Sequence, residues 1–140
     1  MRYVYLAGPV EQCTPDEIET WRERANSLFV DGIVGIFPTR GDSKAKNQFE
    51  TAKRIVSKNY MDVSMCDIIL AHMPKEINER RPSYGTTFEI AWGYSMQKPV
   101  VIVSDDSSML THPLMLIAGI HFTKLDDAVD HINILLGDYI

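Results

Sequence analysis

The sequence predicts an α/β protein: one domain over residues 1–140, with a five-stranded parallel sheet and helices on both faces. Three observations lead there. Short apolar runs alternate with amphipathic stretches, the pattern of consecutive strand-helix units. The run at residues 67–73 is almost wholly apolar, as a strand covered on both faces should be. The length of 140 residues, 45% of them hydrophobic, suits one domain with one sizeable core. Right-handed crossovers leave few topologies, and the expected one is the flavodoxin-like (Rossmann-like) strand order 2-1-3-4-5. No internal repeat, low-complexity tract or linker interrupts the chain.

Each element has a local reason. Residues 3–7 form a compact apolar run stopped by Gly8-Pro9, a strand with a turn behind it. Thr14 caps the next helix, with Pro15 at its first position and Glu17 at its third. Ile18, Trp21, Ala25, Leu28 and Phe29 then recur at helical spacing, to about Phe29. Residues 33–37 are the second strand, stopped by Pro38. Residues 39–47 read as a polar loop without periodicity. The second helix covers 49–63, with Phe49, Ala52, Ile55, Val56, Tyr60 and Val63 on one face. After the third strand, residues 74–84 read as a second polar loop. Gly85 leads into a helix to about Gln97, residues 99–104 form the fourth strand and 120–123 a short fifth. A last helix covers 125–136.

Charge and cysteine usage exclude several classes. Lys plus Arg is 14 against 19 for Asp plus Glu, a net charge of −5. That balance argues against a nucleic-acid or acidic-membrane partner, which needs a basic face. Cys13 and Cys66 are too few for a disulfide scaffold or a cysteine zinc site. With no signal segment before the first strand and no membrane-length apolar run, the expected place is the cytoplasm. His72, His112 and His121 lack metal-ligand spacing, so no metal is expected.

In an open parallel sheet, ligands bind beyond the carboxyl ends of the strands, near the switch in strand order. The two long polar loops lie on that edge, and long loops in a compact domain are usually functional. The first turn is neither G-x-G-x-x-G nor a P-loop, so ordinary dinucleotide and P-loop chemistry lose their fingerprints. The most informative segment is Ser83-Tyr84-Gly85-Thr86-Thr87-Phe88-Glu89. Gly85 permits a close backbone turn, and Glu89, placed in the first helical turn, faces the crevice. Alternatively Thr86-x-x-Glu89 is a capping box and Glu89 satisfies a backbone amide. Tyr5 either reaches the same crevice or is an interior tyrosine. Asn59 and Asp62 close the second helix, and Asp67 reads as a structural carboxylate bonded to loop amides. Arg40, Lys44, Arg80 and Arg81 either neutralise a phosphate or are solvated surface charge.

Together these residues resemble the nucleoside 2-deoxyribosyltransferase family. Val4-Tyr5-Leu6-Ala7-Gly8-Pro9 is similar to its first strand, and Trp21-Arg22-Glu23 followed by Phe37-Pro38-Thr39-Arg40 to its second unit. Asn59-Tyr60-Met61-Asp62-Val63 running into Cys66-Asp67-Ile68-Ile69 is similar to its helix-to-third-strand segment. Gly85-Thr86-Thr87-Phe88-Glu89-Ile90-Ala91-Trp92, with Lys98-Pro99-Val100 behind it, resembles its catalytic helix.

The resemblance implies cleavage or transfer at the N-glycosidic bond of 2′-deoxynucleosides or their 5′-monophosphates, without metal or organic cofactor. Glu89 is then the nucleophile at C1′ and forms a glycosyl ester, the logic of retaining carboxylate glycosidases. Tyr5 orients it and keeps it ionised. Gly8, Pro9, Phe37, Arg40, Asn59, Ser83, Gly85, Thr86 and His112 are the implied substrate-binding residues. The family's base-handling aspartate aligns with Asn59, and an amide is a poor proton donor. Asp62, one turn on, is the implied substitute acid. Ser83 stands where nucleoside transferases carry an aspartate and the related 5′-monophosphate N-glycosidases a serine that contacts phosphate. The family is oligomeric with shared active sites, and residues 111–117, with His112 and Met115, are the best candidate for the lent element. The alternative is a non-catalytic nucleotide sensor on the same scaffold, which the amide at Asn59 would suit.

Overall fold

A computed structural model describes residues 1–40 and 47–138. The chain runs β1 (Arg2–Ala7), α1 (Pro15–Leu28), β2 (Ile33–Ile36), α2 (Gln48–Met65), β3 (Ile68–His72), α3 (Lys75–Arg80), α4 (Tyr84–Ser95), β4 (Val100–Val103), a 3₁₀ turn (Ser107–Thr111), α5 (Pro113–Ala118), β5 (Ile120–Phe122) and α6 (Leu125–Leu136). The five strands form one sheet in the order β2-β1-β3-β4-β5, parallel at every pairing. Fold class, strand order and the switch between β1 and β3 are those the sequence predicts.

Strand alternation assigns side chains to two layers. On β1, Val4 and Leu6 join a core with Trp21, Ala25, Ala128, Val129 and Ile132 from α1 and α6. Tyr5 and Ala7 point the other way, into a core with Val63 and Ile90 from α2 and α4. That parity puts the phenol on the same side of the sheet as α4. Gly8 ends β1 for a packing reason: a Cβ there would lie 2.7 Å from the Trp21 ring.

Thr14 and Glu17 form the expected capping box on α1. Four local readings are corrected. Residues 74–84 are not a continuous loop, because α3 occupies Lys75–Arg80. Asn47 is not loop but the N-cap of α2, its side chain accepting from the Glu50 amide at 2.9 Å. The loop between β2 and α2 is described only at its ends, and Lys44 lies outside the described residues. The apolar face assigned to α2 is not core throughout. Val63 is buried, while Phe49, Val56 and Tyr60 are exposed, because only the carboxyl-terminal part of α2 packs on the sheet. Asp67 precedes β3 and accepts from the Tyr3 amide at 2.8 Å, a strand amide rather than a loop amide.

Candidate active site

A cleft of about 650 Å³ opens at the carboxyl edge of the sheet. Its walls are the turn after β1 (Gly8 to Glu11), the segment after β2 (Pro38 to Arg40), one face of α2 and the start of α4. Ile55, Lys58 and Asn59 are the α2 residues on the wall, and Arg81, Ser83, Gly85 and Thr86 line the α4 side.

Glu89 lines the cleft and is only 6% exposed. The Tyr5 hydroxyl, itself fully buried, donates to Glu89 Oε2. Burial pushes the Glu89 carboxyl up to about 7, against the opposing pull of the Tyr5 hydrogen bond and the Arg22 and Lys58 charges. The Tyr5 bond acts in the expected direction, favouring the carboxylate, and desolvation opposes it with the larger effect. Burial, then the charge of Glu89, raises Tyr5 far above the ordinary phenol value, so the phenol keeps its proton.

The capping-box reading of Glu89 is overturned. Ser83 is the N-cap of α4, and its Oγ accepts from the Thr86 amide at 3.3 Å and lies 2.6 Å from Thr86 Oγ1. Glu89 therefore sits in the second turn, with no cap to serve. Gly85 is not a close-approach glycine either. A Cβ there would meet nothing within 4 Å, so the position leaves open space on the cleft wall.

The other expected residues divide. Asp62, 7% exposed, is not on the cleft wall. Arg40 grips it with both Nη groups, at 2.7 and 2.5 Å, and bonds the Phe37 carbonyl at 3.0 Å. Phe37 thus supports Arg40 and does not line the cleft. Arg80 pairs with Glu17 and is likewise absent from the wall, whereas Arg81, paired with Glu11 at 2.6 Å, is on it. His112 caps α5, its Nδ1 accepting from the Leu114 amide at 3.2 Å, away from this cleft.

Two residues escaped the sequence reading. Lys58 donates to the Pro38 carbonyl at 2.6 Å and to Asn59 Oδ1 at 2.9 Å. Burial and the Arg40 charge lower its pKa. The signal was available: 55, 58, 59 and 62 share one helical face. Arg22 is fully buried and donates to the carbonyls of Leu6 and Gly8, each at 3.0 Å, and of Ile18. It stacks over Trp21 at 4.7 Å, and Trp21 stacks on His72 at 4.7 Å. Burial, then the Arg22 charge, lowers His72 to about 4, so it is neutral near pH 7.

The arrangement offers a desolvated carboxylate at the base of a polar cleft, oriented by a phenol and surrounded by cations. The nucleoside 2-deoxyribosyltransferase family profile matches residues 4–132. No curated protein sequence matches the chain. Among solved structures, a conserved protein from Enterococcus faecalis has TM-score 0.76 at 18% identity, over 97% of this chain and 99% of that one. A 2-deoxyribosyltransferase from Bacillus psychrosaccharolyticus has TM-score 0.67 at 18% identity, over 91% and 90%. A CMP N-glycosidase from Clostridium botulinum has TM-score 0.58 at 16% identity, over 95% and 99%. At these identities the structures speak for the fold, and the family match carries the assignment. The chain belongs to the nucleoside 2-deoxyribosyltransferase family and is an enzyme of that kind.

Proposed function

We propose that the enzyme breaks the N-glycosidic bond of 2′-deoxynucleoside 5′-monophosphates by double displacement at C1′, with Glu89 as nucleophile. A Glu89 oxygen attacks C1′ as the C1′–N bond breaks and its electron pair leaves with the base, which takes up a proton. A glycosyl ester on Glu89 remains. Water or a second base then attacks C1′ from the opposite side, restoring the carboxylate and the original configuration. Tyr5 holds the nucleophile in one rotamer through both steps. The observation that carries the reading is the buried Tyr5–Glu89 pair at the floor of the cleft.

The preference for monophosphates rests on the α4 side of that cleft. A helix N-terminus favours an anion. Ser83 supplies a hydroxyl and no negative charge there, and Arg81 adds a cation. The named neighbour that acts on CMP fits the same preference. In this reading Arg40 and Asp62 are a positioning pair, Asp62 holding Arg40 at the cleft rather than giving a proton to the base. Gly8, Pro9, Gly85 and Thr86 contribute shape and backbone polar groups.

The test is base release, read by chromatography. The chain is incubated with each 2′-deoxynucleoside and its 5′-monophosphate, with and without a second free base. Release from monophosphates without an acceptor supports the N-glycosidase. New nucleosides formed only with an acceptor make it a transferase. Silence on every substrate, as for Glu89→Ala, returns the choice to the sensor.

We also propose a homo-oligomer in the cytoplasm. Among the described residues, no helix is long and apolar enough to cross a membrane. Phe88 and Tyr84 on α4, Tyr60 and Met61 on α2, and Leu114 and Ile117 on α5 are exposed. A second copy covering that face fits the family's shared sites and would bring the segment of His112 toward a neighbouring cleft.

A further inference from the structure

A base that leaves C1′ carries away an electron pair, and a proton given to it as the bond breaks lowers the barrier. The donor has to reach the cleft. Asp62 does not: it is off the wall and held by both Nη groups of Arg40. Asn59 is on the wall, but an amide is a poor proton donor. The guanidinium groups of Arg40 and Arg81 do not deprotonate in proteins. Glu11 is bound to Arg81 at 2.6 Å. Tyr84 is 68% exposed and stands on the α4 side, which takes the 5′ group. Glu89 is the nucleophile, and the Tyr5 hydroxyl is spent on it.

Lys58 is left among the described residues that line the cleft. Its Nζ donates to the Pro38 carbonyl at 2.6 Å and to Asn59 Oδ1 at 2.9 Å. An ammonium has a third hydrogen, which those two bonds leave for the cleft. They also pin the group across the gap between β2 and α2. If Glu89 reaches C1′ from α4 and the 5′ group lies on the α4 side, the base departs toward α2 and meets this ammonium.

The charges around Lys58 suit a donor. Burial, then the charge of Arg40 on the segment after β2, lowers its pKa below the ordinary lysine value. Asp62 on α2 and Glu89 on α4 pull the other way with smaller effect. A destabilised ammonium on a partly desolvated wall gives up a proton more readily than a solvated one.

We propose that Lys58 is the general acid of this site, its ammonium giving a proton to the departing base. The inference rests on the double displacement at Glu89 proposed above and adds the group that completes it. In the first step Glu89 attacks C1′ and the C1′–N bond breaks. Its electron pair goes to the base, a proton passes from Nζ to the base, and a neutral amine remains. In hydrolysis that amine takes a proton from the water attacking C1′, while the C1′–O bond to Glu89 breaks and its pair returns to the carboxylate. In transfer the incoming base returns the proton instead. Either way Lys58 ends the cycle as an ammonium.

The test compares bases that need the proton with bases that need it less. One matched pair is 2′-deoxyguanosine 5′-monophosphate and its 7-methyl derivative, whose cationic purine departs neutral without a proton. The other is 2′-deoxycytidine 5′-monophosphate and its 5-fluoro derivative, whose base leaves more easily. The readout is kcat/KM, which follows the first bond-breaking step. Lys58→Met should lose about 100-fold or more on the ordinary member of a pair. The loss on the activated member should be smaller, by about tenfold or more for the 7-methyl purine. Lys58→Arg keeps the charge and the hydrogen bonds but has no proton to transfer, so it should do no better than Lys58→Met. On the ordinary substrates the unsubstituted enzyme should lose activity at alkaline pH, with a midpoint below the lysine value of 10.5, and Lys58→Met should not. Thermal melts check that each variant is folded. An equal loss on both members of a pair, rescue by Lys58→Arg, or an alkaline fall that survives Lys58→Met overturns the proposal and leaves Glu89 as nucleophile. Base release from none of the four substrates by the unsubstituted enzyme removes the glycosidic reading, and the proposal with it.

Discussion

The Tyr5 hydroxyl donates to Glu89 Oε2, joining the middle of β1 to the second turn of α4. Two opposed effects meet at that carboxyl. Burial favours the neutral acid, and the phenol favours the carboxylate. Burial is the larger, and Glu89 stands near pH 7, where a nucleophile is half available.

A pH profile follows. Only ionised Glu89 attacks, so kcat/KM for base release should rise about tenfold per pH unit below 7 and level off above it. Tyr5→Phe removes a bond that stabilises the carboxylate. Its ascending limb should therefore move to higher pH, with kcat on the plateau down about 10- to 100-fold. An unmoved limb in Tyr5→Phe would mean that the phenol does not tune Glu89.

The same shift makes a stability prediction of definite sign. The Glu89 pKa is raised on folding, from an ordinary value of 4.5 to about 7. Between those values the native state holds a proton that the unfolded chain releases. The contribution is fully present below pH 4.5 and is lost as pH rises through about 7. The full effect is of the order of 3 kcal/mol, at 1.36 kcal/mol per unit. Glu89→Gln escapes the penalty because an amide never ionises. It should melt above the unsubstituted enzyme at pH 8, with the gain shrinking toward pH 5, while base release is abolished. A gain that does not grow with pH would place the carboxyl in a more solvated setting.

The fold was legible because each signal repeats through the chain. Apolar runs, the Thr14-Pro15-Glu17 start and the stop at Gly8-Pro9 all agree with one topology. The site was legible in part. Tyr5 and Glu89 lie 84 positions apart, and only strand parity and the switch point bring them together. What the sequence hid were competitions for a partner. Thr86 looks like the cap, and three-dimensional placement gives the cap to Ser83. Asp62 looks like a free acid until Arg40 folds over it. Arg22 went unread because its bonds to the Leu6 and Gly8 carbonyls at the end of β1 cannot be read from spacing.

The Arg40–Asp62 pair gives a kinetic prediction. If Asp62 serves Arg40, Asp62→Asn should raise KM several-fold with a smaller effect on kcat. Arg40→Ala should do much the same, and the double variant should be little worse than either single one. If Asp62 is the proton donor, Asp62→Asn alone should cut kcat about 100-fold or more. Steady-state kinetics of the three variants separates these cases.

The exposed apolar face predicts assembly. Phe88 is 60% exposed and Tyr84 68%, on the helix that carries Glu89. The enzyme should run as a dimer or larger species in light scattering coupled to size exclusion. Phe88→Glu should weaken it, since a charge buried without a partner is costly at an interface. A monomer at micromolar concentration in the unsubstituted enzyme would remove the second copy from the proposal.

Arg22 tests how far the site depends on a residue outside the cleft. Its guanidinium is fully buried, and no carboxylate among the described residues pairs with it. Burial lowers its pKa, while the charges of Glu19 and Glu89 hold it up. The planar fork reaches the Leu6, Gly8 and Ile18 carbonyls together, which a single ammonium cannot imitate. Arg22→Lys should therefore cost about 2–4 kcal/mol in urea denaturation, from carbonyls left unpaired. Arg22→Met should cost more, because it also removes the cation. The pH profile tells the two functions of the residue apart. The Arg22 charge lowers the pKa of Glu89, so Arg22→Met should move the ascending limb to higher pH, whereas Arg22→Lys should leave it in place. A limb that stays fixed in both, with activity falling equally, would make Arg22 a brace for the β1 turn and nothing more.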